Sequence, residues 1–227
     1  MSSLAQQVSQ TDLTNRIFSE RQLAAVVGGS EARRYGLVNR ALKDGSLIRV
    51  KRGAYMLGRE YRSEAVHPFA VAQSLVPGSY VSFESALAFH GWIPEAVFVT
   101  ASVSPGRKTH AFETADFGQF GFHPLALREY QFLVGVERSS FNGLTAFVAR
   151  PLRALMDLVA FRKSRWSGLE WLTIGMRIDE ELLLATKLKE FAALKPVYKH
   201  KGAHEFLTAL ESAVREARRF QNRSPHD

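Results

Sequence analysis

Arg33, Asn39, Arg40 and Lys43 recur at helical spacing, and Lys51-Arg52-Gly53 follows as a short basic turn. These residue types suit one chemistry. An asparagine amide can pair with an adenine edge and an arginine fork with guanine, while lysine and arginine neutralise phosphate. From Glu31 to Arg62 there are nine Lys and Arg against three Asp and Glu, a net +6 out of a formal +8 for the chain. The excess positive charge is therefore local, whereas an ordinary solvated helix would carry mixed charge with no such concentration.

Those side chains need a support, and the local sequence specifies one. Ser19 precedes Gln22 at the spacing of a reciprocal N-terminal cap, so a helix starts there. Leu23, Val26 and Val27 give it an apolar stripe, and Gly28-Gly29 ends it. Ser30 can cap a second helix over 31–44. On a helical wheel Tyr35, Val38, Ala41 and Leu42 form its packed face, with Arg33, Gly36, Asn39, Arg40 and Lys43 opposite. Gly36 lets the backbone approach a groove wall, and Arg34, nearer the packed side, is expected along the first turn or on a phosphate. Gly45 stops this helix, and 47–50 and 54–57 are β-prone runs joined by Lys51, Arg52 and Gly53. Two helices, a glycine turn and a basic hairpin are the parts of a winged helix-turn-helix, with the recognition helix in the major groove and the wing on the backbone. The expected DNA-binding set is Arg33, Arg34, Gly36, Asn39, Arg40, Lys43, Lys51, Arg52 and Gly53.

With 227 residues, 46% of them hydrophobic, the chain can form two domains: a winged helix over 1–62, whose first helix lies within 1–16, and an α+β domain over 63–227. Residues 58–64 are expected to form the linker, and a new core is expected from Ala65. Helices are expected at 66–76 despite Pro68, at 83–90 with apolar Ala86, Leu87 and Phe89 in helical spacing, and at 151–159 with Pro151 in the first turn. Strands are expected at 97–103, 111–113, 130–136 and 144–149, with turns at 116–121 and 139–143, and closing helices at 179–194 and 204–220. Zero cysteine excludes disulfides and thiolate metal sites. No apolar run approaches the length of a membrane span and no export signal pattern opens the chain, so a cytoplasmic protein is expected.

Other candidate chemistry is thin. His200 and His204 share a helical face, but Gly202 intervenes and no third ligand is evident, so two surface histidines are expected. His90 fits a cap or core histidine. Gly106-Arg107-Lys108-Thr109 lacks the upstream glycine of a phosphate loop and fits a solvated basic turn. Glu84, Asp116 and Glu137 could be assembled into an acidic nuclease cluster, yet no Pro-Asp with a following Glu-x-Lys accompanies them. No catalytic, metal or cofactor site is assigned.

Three segments resemble the AbiEi-type abortive-infection antitoxins of type IV toxin-antitoxin pairs. Residues 37–55 are similar to that family's recognition helix and wing, ending in an Arg-Gly-x-Tyr turn at Arg52-Gly53-Ala54-Tyr55. Residues 82–91 are similar to its Ser-x-x-Ser-Ala-Leu-x-x-His-Gly helix, and Ala149 to Leu158 to its Pro-x-x-Ala-Leu-x-Asp-Leu helix. The resemblance implies a transcriptional repressor of its own operon, binding double-stranded promoter DNA. It also implies an antitoxin counteracting a nucleotidyltransferase-like toxin in phage defence, often without stable contact with it. The match weakens from Trp166 onward. The alternatives are a DNA-targeted nuclease, a regulator with no toxin partner, and an interaction module with no specific site.

Overall fold

The computed structural model describes residues 3–221 of the chain; the parts of the expected first and second domains that fall at 1–2 and 222–227 lie outside them. The protein is a mixed α+β chain. Its described residues divide into two compact units. One runs through Pro77 and includes 114–117 and 140–146; the other holds 78–113, 118–139 and the chain from Phe147.

In the first unit α1 (Leu4–Ser9) opens on a reciprocal cap: the Ser3 amide donates to Gln6 Oε1 at 2.8 Å and the Gln6 amide to Ser3 Oγ at 3.2 Å. After β1 (Phe18–Ser19), Ser19 and Gln22 repeat that cap at the start of α2 (Glu20–Val27). Gly28 and Gly29, at φ of 64° and 77°, turn the chain in the left-handed region that side chains disfavour. Ser30 then caps α3 (Glu31–Lys43), accepting from the Arg33 amide at 3.3 Å. β2 (Leu47–Lys51) and β3 (Ala54–Leu57) pair antiparallel, and β1 adds to β3 as a third strand that alternation alone does not reveal. Leu4, Val8, Phe18, Leu23, Val38 and Leu57 meet in one core. Each large apolar side chain buried there contributes about 1.5–3 kcal/mol.

Three expectations for this unit are corrected. Tyr35 does not pack but is 71% exposed. α3 packs on α1 and β2, so Leu37 and Ala41 draw the packed arc to the flank of Val38 away from Tyr35. Residues 58–64 are not a free linker: 59–61 form a 3-10 turn, Tyr61 packs on the core, and Ser63 and Asn15 exchange two hydrogen bonds at 2.8 and 3.2 Å. The chain is pinned at Gly58, whose amide donates to Ser46 O at 2.8 Å and where any Cβ would fall 2.2 Å from the Gly45 carbonyl. Nor does a new core begin at Ala65, because α4 (Pro68–Leu75) groups with the first unit and packs on β2. Pro68 sits at the first helical position, where its missing N–H costs nothing.

Most residues of the second, six-stranded sheet lie in the second unit; its strands are β4 (Tyr80–Val81), β5 (Val99–Ser104), β6 (His110–Thr114), β7 (Gly118–Pro124), β8 (Val136–Phe141) and β9 (Leu144–Ala149). Its order is β6-β7-β5-β4-β9-β8. β7 runs parallel to β5 where a turn was expected at 116–121. The expected strand at 130–136 is instead a run of turns, because the Gln131 and Val134 carbonyls point to the Arg153 guanidinium and Gly135 turns at φ 72°. α5 (Phe83–Phe89) and α6 (Pro151–Arg162) pack on each other, with Phe89 at the edge and 44% exposed. A π-helical turn at 171–175 leads to α7 (Glu180–Leu184), α8 (Leu188–Leu194) and α9 (Lys201–Gln221). The closing helix expected at 179–194 is broken in two because Arg218 donates to the Leu184 and Thr186 carbonyls, removing them from a continuous ladder.

Candidate nucleic-acid interface

α3 carries most of the proposed contacts, and its cap, packed arc and terminating glycine decide which side chains are free. Arg33, Asn39, Arg40 and Lys43 are exposed, and Gly36 lies half-buried among them with open space where a Cβ would sit. Arg40 Nε donates to the Gly36 carbonyl at 3.3 Å. That bond ties the guanidinium to the helix backbone one turn earlier, while the side chain stays exposed. Arg34 turns back to donate to the Gly29 carbonyl, bracing the first turn, which is one of the two positions expected for it. Asp44 closes the helix by accepting from the Ser46 hydroxyl at 2.6 Å and amide at 3.0 Å, and those two bonds hold its carboxyl below the usual range.

The hairpin divides the basic residues of its tip. Arg52 is exposed, and Gly53 turns at φ 75° while its carbonyl accepts from the Glu20 amide at 3.0 Å. Lys51 is half-buried, and its Nζ donates to the Leu75 carbonyl at the end of α4, 3.1 Å away. A register shift between Arg49 and Lys51 turns Lys51 to that position. Lys51 is therefore first a tie within the unit.

Two residues of this surface were absent from the expected set. Tyr35 and Arg49 line one shallow depression with Asn39 and Tyr55. Arg49 faces Tyr55 across the ladder and stays exposed. A charged residue amid the apolar ones of β2 was the available signal for it; Tyr35 gave none, because an aromatic beside Val38 reads as core.

The other candidate residues are committed elsewhere. Glu84 pairs with Arg162 and Glu137 with Arg150, while Asp116 belongs to the other compact unit. Among the described residues no three His, Asp or Glu side chains gather as metal ligands, His200 and His204 included. His90 caps α5, its Nε2 2.9 Å from the Ala149 carbonyl, and burial holds it below the usual histidine value. Residues 105–109 form an exposed turn.

The motif residues of the second unit converge on a buried polar centre. Asp157 accepts from Arg153 Nε at 2.8 Å, Tyr198 Oη at 2.8 Å, Ser82 Oγ at 2.7 Å and Tyr80 Oη at 2.9 Å. Burial, with the Asp157 charge beside them, pushes both tyrosine hydroxyls well above their usual range. Burial makes Arg153 lose its proton more readily, but Asp157, Tyr198 and Tyr80 together outweigh that and raise it. Ser85 Oγ donates to the Val99 carbonyl and accepts from the Ala101 amide, both at 2.8 Å, fastening α5 to β5. These residues hold the fold together.

No family model and no curated protein matches the chain. A solved structure is similar in fold: the RV2827C protein from Mycobacterium tuberculosis, 15% identical, with a TM-score of 0.55 over 99% of this chain and 81% of that one. Within the chain itself, no helix among the described residues is long and apolar enough to cross a membrane.

Proposed function

We propose that the chain is a sequence-specific DNA-binding regulator whose first unit is a winged helix-turn-helix. α3 enters the major groove and the β2–β3 hairpin lies on the backbone. One observation carries this: a helix whose exposed side is Arg33, Asn39, Arg40 and Lys43 is followed at once by an antiparallel hairpin with Arg49 and Arg52 outward. That is a cationic surface on a rigid support, the requirement for phosphate neutralisation and base-edge pairing together. In this reading the chain catalyses nothing.

Fluorescence anisotropy on the duplex upstream of its own gene tests the reading. With about five to six phosphates neutralised, log affinity against log salt slopes near −5. Binding to a scrambled duplex of equal length is weaker. Equal affinity for both duplexes, or affinity indifferent to salt, overturns it.

The resemblance to AbiEi-type antitoxins supports a second part of the proposal, that the regulator represses its own operon and counteracts a nucleotidyltransferase-like toxin. Co-expression with such a neighbouring gene then restores growth. Failure of rescue leaves a regulator alone.

A further inference from the structure

In the second unit a concavity of about 750 Å³ opens where α6 ends and α9 begins. Lys163, Ser164, Arg165, Trp166, His200 and Lys201 line it. Lys163, Arg165, His200 and Lys201 are exposed, and the acid on the wall, Glu205, pairs with Lys201 at 3.3 Å. Among the described residues neither Lys163 nor Arg165 has a side-chain partner. Lys163 ends α6 at φ 55°, a left-handed conformation costing a non-glycine residue on the order of 1 kcal/mol. Trp166 is half-buried, its ring edge-on to the buried Phe206 at 5.2 Å and 85°, which fixes its orientation in the wall. A Cβ on Gly202 would meet nothing within 4 Å, so the α9 backbone is open to the cleft.

Two unpaired cations, Lys163 and Arg165, with Lys201 shared with Glu205, around an oriented indole match a ligand that carries both phosphate and a planar base. We propose that this cleft binds a nucleotide, phosphate against Lys163, Arg165 and Lys201 and base against Trp166. The volume lies within the range of small-ligand sites. Stacking on an aromatic beside a basic rim is also how single-stranded nucleic acid is held, so the nucleotide could be free or part of a strand. The proposal does not rest on the DNA-binding reading, since none of these residues belongs to the first unit.

Titrating the full chain with ATP, tripolyphosphate, a short single-stranded RNA and an acidic peptide, read by tryptophan fluorescence, tests it. Saturable quenching by ATP or RNA is expected, and it disappears in Trp166→Leu. Lys163→Ala with Arg165→Ala weakens binding about tenfold or more, as loss of charge-assisted bonds does. Gly202→Ala, which favours the helix, also weakens it. Unchanged thermal unfolding of these variants shows that the fold is kept, and unchanged duplex anisotropy separates this site from α3. RNA binding tighter than ATP assigns the ligand to a strand, and the reverse assigns a free nucleotide; either supports the site. No quenching by ATP or RNA overturns the proposal. So does equal affinity for tripolyphosphate or the acidic peptide, or a double variant that binds as tightly as the native chain.

Discussion

Arg153 donates to Asp157 one helical turn further along α6, at 2.8 Å, with both side chains fully buried. Such a pair survives burial only when every remaining lone pair and proton is used. Here Tyr80, Tyr198 and Ser82 fill the carboxylate, while the guanidinium reaches the carbonyls of Gln131 and Val134 and the hydroxyl of Tyr80. One centre thus fixes β4, α6 and the turns before β8.

Asp157→Ala leaves a guanidinium charge buried without compensation and is expected to destabilise by about 3–5 kcal/mol. The double variant Arg153→Met/Asp157→Leu loses less than the two single variants summed. Urea unfolding of the three proteins measures this, and additive losses would contradict the coupling.

Gly36→Ala separates fold from function. No atom stands where the methyl would go, and alanine in a helix interior is about 0.5–1 kcal/mol better than glycine, so the melting temperature rises. On the proposed function the same methyl faces the groove wall, so duplex affinity falls. A stabilised variant with native affinity would remove Gly36 from the interface.

Lys51 and Arg52 are neighbours with different expected outcomes. Arg52→Ala lowers the salt slope by about one unit and leaves stability unchanged. Lys51→Ala removes the bond to the Leu75 carbonyl and costs about 0.5–1.5 kcal/mol, with the smaller change in slope. Anisotropy over a salt series, with thermal melts alongside, distinguishes them.

Tyr35 is 71% exposed, so Tyr35→Ala changes stability by no more than about 0.5 kcal/mol. On the proposed function Tyr35, beside Asn39 and Arg49, touches base edges, so the preference for the chain's own promoter over scrambled duplex narrows. A destabilised variant with native discrimination would make it a packing residue after all.

Burial lowers His67, His90 and His123, with Glu84 opposing the shift at His123. The folded chain therefore binds fewer protons than the unfolded one near and below the ordinary histidine value of 6.5. Stability from these groups is complete above pH 6.5 and falls as pH drops through their depressed folded values. Urea midpoints measured from neutral to mildly acidic pH should decline, and less steeply in His90→Asn. A flat profile would contradict this.

Local chemistry was legible from the residues alone. Ser19 with Gln22, Ser30, Gly45 and Pro151 mark helix ends because a cap or a constrained φ acts within one turn of chain. The antiparallel hairpin after Gly45 follows from β-prone runs flanking a turn, and the outward cations of α3 follow from its period. What tertiary structure decided depends on partners distant in sequence. Tyr35 is exposed because α1 and β2 draw Leu37 inward, and Lys51 is tied because α4 ends beside it. The strand expected at 130–136 yields to turns because a buried guanidinium takes its carbonyls. Hydrophobic period ranks the faces of an element but does not say which neighbour will cover them, and a charge pattern does not say which charge a distant carbonyl will capture.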